Sequence, residues 1–206
     1  MNRSIRLLFG PLGAVIFCAG VLALAAMVPG YSHVHQTVSE IGALDTPMRW
    51  PFALMLASVT LCMWVFAWGV WDASTRAGHN RFAVYLIVCM GLSGLGVALF
   101  ATPHPLHNDF GLSEIFGYQA PLAFALAWRK DPKARALVMT SWIMFVLLWV
   151  SMGLNMAPMF PHSWLAMNTK PVYGLVQRSL FLTWFIWCTA AGFLLWRREH
   201  AAVAGK

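Results

Sequence analysis

The sequence predicts an all-α integral membrane protein, a six-transmembrane-helix bundle with both termini in the cytoplasm. Three observations carry that expectation. Of 206 residues, 60% are hydrophobic and only 10% charged, whereas an ordinary soluble domain is about a quarter charged. Six mainly apolar runs, at 7–29, 50–71, 82–102, 112–128, 136–157 and 173–196, are separated by short polar joints, and a spanning helix needs about 20 such residues. The apolar stretches are continuous and do not alternate. That favours helices, which satisfy their own backbones inside lipid, over a barrel. Residues 1–206 read as a single transmembrane domain.

The first run follows Arg3 and Arg6 and ends in ALAAM, as a signal peptide would. Its apolar length exceeds the roughly 7–15 residues of a signal core, and the bulky Phe17 before Cys18 argues against a lipoprotein site. It is expected to remain as a helix. In the third run, GLSGLG at 91–96 offers small residues that let helices approach closely. The fourth, 112–128, is the shortest and should stand without a steep tilt. Ser113 suits its N-cap, and Glu114 in its first turn suits the positive end of a helix. The breaker-rich RKDPKAR at 129–135 leads into the fifth run, and GLVQRSLFLTWFIWC, from Gly174, opens the sixth. Cys18, Cys62, Cys89 and Cys188 lie in apolar runs without C-x-x-C spacing and read as small buried hydrophobes.

Basic residues set the orientation. Joints on the side of the N-terminus hold eleven of them (Arg3, Arg6, Arg76, Arg81, Arg129, Lys130, Lys133, Arg135, Arg197, Arg198 and Lys206), against Arg49, Lys170 and Arg178 on the other side. This bias places both termini in the cytoplasm, as a multi-pass protein of the bacterial cytoplasmic (inner) membrane. The net charge of +7 follows from it, with membrane lipids as partners and no nucleic acid required.

The polar residues then sort by face. His33, His35, His104, His107 and His162 fall in outer loops, together with Glu40, Asp45, Asp109 and Glu114. The first outer loop is longer than a hairpin needs, which marks functional segments. Both it and the second pass through proline and two histidines to reach Ser-Glu-Ile, at Ser39-Glu40-Ile41 and Ser113-Glu114-Ile115. At 1.5 Å per residue, Glu114 lies about 22 Å above Arg129 and Arg178 about 28 Å above Arg197. Both then sit near the outer edge of the hydrocarbon core, where an ionisable group needs a partner. Glu114 is expected to pair with Arg178, and the arginine fork is expected to take Glu40 as a second carboxylate. Ser39, Glu40, Glu114 and Arg178 form the candidate binding cluster, with the first loop folded over it as a lid.

HQTVSEIGALDTP after a first helix, a second outer loop bearing proline and histidine, and GLVQRSLFLTWFIWC opening the last helix together resemble the bacterial and archaeal family called domain of unknown function 998. The resemblance covers nearly the whole chain, and its sharpest parts are Ser39-Glu40-Ile41-Gly42-Ala43 and Gly174 with Arg178. It implies a six-helix membrane protein and supplies no reaction. Family members often carry a histidine early in the fourth helix, at a place that resembles Phe116 here.

Three functions fit these residues. The first is binding of a lipid headgroup, a small ligand, a second membrane protein or a second copy of the chain at the polar outer mouth. The second is a metal-dependent hydrolase: His33-Val34-His35 and His104-Pro105-Leu106-His107 can each present two imidazoles to zinc or a similar divalent ion, with Glu40, Asp109 or Glu114 completing the shell or serving as base. The third is transport, disfavoured because no acidic residue lies in the middle of an apolar run. Haem and nucleotide sites are not indicated: mid-helix histidines and a phosphate-cradling glycine loop are both missing from the sequence.

Overall fold

The computed structural model describes residues 3–204, which are mostly helical and contain no strand. A 3-10 turn over Arg3–Leu8 leads into α1 (Phe9–Ala25). There follow α2 (Arg49–Arg76), α3 (Phe82–Leu99), α4 (Pro105–Gly117), α5 (Ala120–Trp128), α6 (Arg135–Asn155), the short α7 (Trp164–Thr169) and α8 (Tyr173–Ala204). Five stretches are long and apolar enough to cross a membrane: Arg3–Ala25, Arg49–Arg76, Phe82–Leu99, Pro132–Met159 and Trp164–Ala201. Large apolar side chains such as Leu22, Leu61, Leu92, Ile143, Val150 and Ile186 point away from the bundle along them. Water penalises such a surface and lipid tails do not. These are the features of a multi-pass membrane protein.

The helices close a ring in chain order. α1 packs on α2, α2 on α3, α3 on α4 and α5, α5 on α6, and α6 on α8, which returns to α1. The α3–α4 seam depends on Gly96, because a Cβ there would collide with the ring of Phe110. Across the same seam the hydroxyls of Ser93 and Ser113 lie 2.7 Å apart. Gly91, against Trp64, and Gly96 therefore serve close packing, while Gly94 between them has space before it.

The fourth helix departs from expectation. It begins at Pro105, not 112, because Pro105 supplies the first helical residue and the His104 side chain caps it, accepting from the Leu106 amide at 3.2 Å. It stops at Gly117, and α5 begins at Ala120. Pro121 explains the interruption, since it lacks the N–H that the Gly117 carbonyl would otherwise receive and its ring crowds the preceding turn. Ser113 is thus an interior residue, its hydroxyl 2.7 Å from the Phe110 carbonyl, and not a cap. Glu114 lies in the last turn of α4, at the negative end of a helix and not the positive one.

Ion pairs gather at the face that carries the termini. Arg6 meets Asp72 at 2.7 Å, Arg76 meets Glu199 at 2.6 Å, and Asp131 takes Arg198 at 2.7 Å and His79 at 3.2 Å. These contacts bring the start of α1 and the ends of α2, α5 and α8 together. At the opposite face the Leu44 amide donates to the Thr102 carbonyl at 3.0 Å, so α4 and α5 jointly carry the chain from one face to the other. Between the faces, on the side of the termini, Phe124, Trp128, Trp184 and Trp187 fill the interior, with ring centroids 5.3 Å apart for Phe124–Trp128 and 5.2 Å for Trp184–Trp187.

The Arg198 guanidinium, helped by His79 and the Lys133 amide, lowers the Asp131 carboxyl from 3.8 to about 2 against the opposing effect of burial. A carboxyl whose folded pKa is depressed contributes stability that is present above its unfolded pKa and lost as pH falls through the folded one. Asp131→Asn should therefore cost about 1–3 kcal/mol at neutral pH. The wild-type advantage should be complete above pH 3.8 and vanish below about pH 2. Thermal unfolding of both proteins in detergent across that window checks this, and parallel curves would contradict it.

Candidate functional site

The loop joining α1 to α2 folds back over the ring and is fastened by the first two turns of α8. One terminal nitrogen of Arg178 donates to the carbonyl oxygens of His33 at 2.9 Å, Gln36 at 2.8 Å and Gly174 at 2.7 Å. The other donates to the Tyr31 hydroxyl, which itself donates to the Thr37 carbonyl at 2.7 Å. Beside it, the Gln177 side-chain oxygen accepts from the Val38 amide at 2.6 Å, and His35 Nδ1 lies 2.6 Å from the Pro171 carbonyl. Gly174 makes this approach sterically allowed. A Cβ there would stand 2.6 Å from the His33 oxygen, 2.9 Å from the Val34 oxygen and nearer still to that of Gln36.

The expected carboxylate partners of Arg178 are engaged elsewhere. Glu40 accepts from the Thr37 amide at 2.9 Å, the Thr37 hydroxyl at 2.8 Å and the Gln36 amide group at 3.1 Å, closing its own turn. Glu114 accepts from the Tyr118 hydroxyl at 2.8 Å. Among the described residues no ion pair joins Arg178 to either glutamate. The physical reason is local supply and demand: each carboxylate finds donors within four residues of itself. The convergent loop carbonyls, withdrawn from water, have no other donor as rich as a guanidinium.

Below the fastened loop is a cavity of about 60 Å³, room for on the order of four waters. Val38 and Ser39 line it from the loop. Its walls are mostly apolar, with Phe17, Met63, Met90, Phe181 and Trp184 among them, and Thr60, Glu114 and Tyr118 add polar groups. The four candidate binding residues thus separate into two pairs. Ser39 and Glu114 share the cavity, while Glu40 and Arg178 hold the loop that covers it.

The histidines do not converge. His33 stacks edge-on against Tyr31, His35 contacts Pro171, His104 caps α4, and His107 is buried with Nδ1 2.8 Å from the Phe100 carbonyl. Among the described residues no three His, Cys, Asp or Glu side chains form a group able to hold a metal ion. The expected ligand set of His33, His35, His104 and His107 is therefore not assembled, because the Tyr31 ring engages His33 and backbone groups engage the other three separately. Phe116 is exposed on α4.

Tyr31, Gln177 and Tyr118 were not singled out by sequence reasoning. Gln177 carried a signal in hindsight, being a polar neighbour of Arg178 early in an apolar helix. Tyr118 follows Glu114 by four residues, the spacing of side chains that meet on one helical face.

A family model described as "Protein of unknown function (DUF998)" matches residues 11–194. The chain belongs to that family. No curated protein matches the chain, and neither does any solved structure.

Arg178→Ala removes the donors shared by the loop carbonyls and should destabilise the protein by about 3 kcal/mol or more. Gly174→Ala should cost about 1–3 kcal/mol by forcing the loop outward. Both should speed proteolysis between His33 and Pro47. A double-mutant cycle of Glu114→Ala with Arg178→Ala should show coupling below about 0.5 kcal/mol; strong coupling would restore the ion pair.

Proposed function

We propose that this member of the family is a six-span protein of the bacterial cytoplasmic membrane, with both termini inside, that binds a small, mostly apolar ligand at its outer face. The observation that carries the reading is the cavity roofed by Val38 and Ser39, walled by apolar side chains and reached by the Glu114 carboxylate. α4 and α5 supply the sixth crossing as a broken pair. Eleven of the fourteen basic residues lie in joints on the side of the termini, which supports their cytoplasmic placement. Met159, Phe160, Trp164 and Met167 are exposed around α7 at the opposite face and suit the outer membrane interface, where aromatic side chains collect.

Arg178 acts here as the fastener of the lid and not as an anion site, since both of its terminal nitrogens are taken by loop and α8 oxygens. That favours a ligand held by burial over an anionic headgroup held by charge. The aromatic packing of Phe124, Trp128, Trp184 and Trp187 beneath the cavity makes it a blind pocket, which suits binding better than conduction. Apolar lining with a few convergent polar groups is the usual form of small-molecule sites, and a volume of about 60 Å³ limits this one to a ligand of a few heavy atoms.

Two measurements test this reading. Single cysteines at Asp45, Asn108 and Asn168, in a background lacking the native four, should react with an impermeant thiol reagent from outside intact cells. Cysteines at Asn80 and Lys130 should not, and labelling of Asn80→Cys would reverse the topology. Gly94 lines the cavity with space before it, so Gly94→Phe should fill the pocket. Organic extraction of the purified wild type should then release a small molecule near one equivalent, and extraction of Gly94→Phe at least tenfold less. Equal yields would remove the cavity as the site.

A further inference from the structure

We propose that the ligand of this cavity is an amine on a short apolar body, its ammonium held by Glu114. The proposal rests on the cavity reading above and specifies its chemistry. Glu114 occupies the last turn of α4, where the aligned peptide dipoles present their negative end. The interruption at Pro121 adds to this, because the Gly117 carbonyl is left without a helical donor. A carboxylate so placed calls for positive charge, and the described residues bring none. The cavity lining contains no Lys, Arg or His, and no ion pair among the described residues includes Glu114. Its one side-chain hydrogen bond comes from the Tyr118 hydroxyl at 2.8 Å, to a single carboxylate oxygen.

The remaining walls suit the same ligand. Phe17, Phe181, Trp184 and Phe185 face the cavity, and aromatic faces attract cations while also covering apolar carbon. Thr60 donates its hydroxyl hydrogen to the Gly91 carbonyl at 3.1 Å, which leaves its oxygen as an acceptor for a ligand N–H. Ser39 is set at the roof, on the loop that Arg178 fastens. An anionic ligand would meet a carboxylate and a helix C-terminus. An alcohol would find hydrogen bonds without the charge complement.

Propylamine, propanol and propionate share one short apolar body, sized to a cavity of about 60 Å³, and differ at the head. Binding of each to the full chain in lipid nanodiscs should be measured by calorimetry, for wild type, Glu114→Gln and Gly94→Phe, with empty nanodiscs subtracted. Propylamine should bind wild type at least tenfold more tightly than propanol or propionate. Glu114→Gln should abolish that preference and leave propanol unchanged. Amine and alcohol binding equally, or an amine affinity untouched by Glu114→Gln, would overturn the amine assignment while leaving the cavity reading in place. If Glu114→Gln does not fold, the three probes on wild type decide the matter alone. Saturable binding of none of them, or binding that persists in Gly94→Phe, would overturn both.

Discussion

The contact on which the outer half of this molecule depends is a single guanidinium bonded to backbone carbonyls. Irregular backbone near a membrane must have its polar groups satisfied by protein, because lipid offers no hydrogen bonds. Arg178 meets that requirement for His33 and Gln36 and reaches Thr37 through Tyr31. Gly174 lets the loop come close enough for those bonds to form. Once held there, the loop places Val38 and Ile41 in the core and Ser39 at the cavity. The roof, and therefore the pocket, is a consequence of the fastening.

Charge is handled differently at the two ends of the bundle. At the face of the termini, Arg6, Arg76 and Arg198 pair with carboxylates and tie α1, α2, α5 and α8 together. Toward the loops Arg178 and Arg49 donate to carbonyls, and among the described residues Glu114 keeps only its tyrosine. Leaving a carboxylate without a cation at the end of a broken helix is unfavourable for folding, and such departures from local consistency collect where a protein meets its ligands. The same broken helix sets the depth of Glu114, because Pro105 and Pro121 bound α4 on either side.

Membrane residence and helical class were legible in the sequence because lipid imposes one rule on every residue of a span: a continuous apolar run with its backbone bonded internally. Five of the expected helices match within a few residues at their starts. Arg178 was also legible as a residue worth explaining, since arginine early in an apolar helix demands a partner, while Gly174 stood out only through the family resemblance. The interruption of 112–128 by Pro121 was visible as a residue but was not read as a break. Apolar content alone cannot separate a straight helix from two short ones.

What only the tertiary structure decided is which groups answer each other. Sequence reasoning matched Arg178 to Glu114 and Glu40 because opposite charges are the only partners that can be counted along a chain. Backbone carbonyls are present at every residue and carry no sequence signal, so their convergence around Arg178 could emerge only when the loop's path was known. The histidines illustrate the same limit. Their H-x-H and H-x-x-H spacings were compatible with a metal site, but spacing does not determine whether separate loops meet, and here a tyrosine ring, two carbonyls and a helix end took the imidazoles one by one. The sequence by itself determined the solvent and therefore the elements. The folded chain determined the partners, because hydrogen bonds select by position in space and the chain positions most of its donors and acceptors only after it has packed.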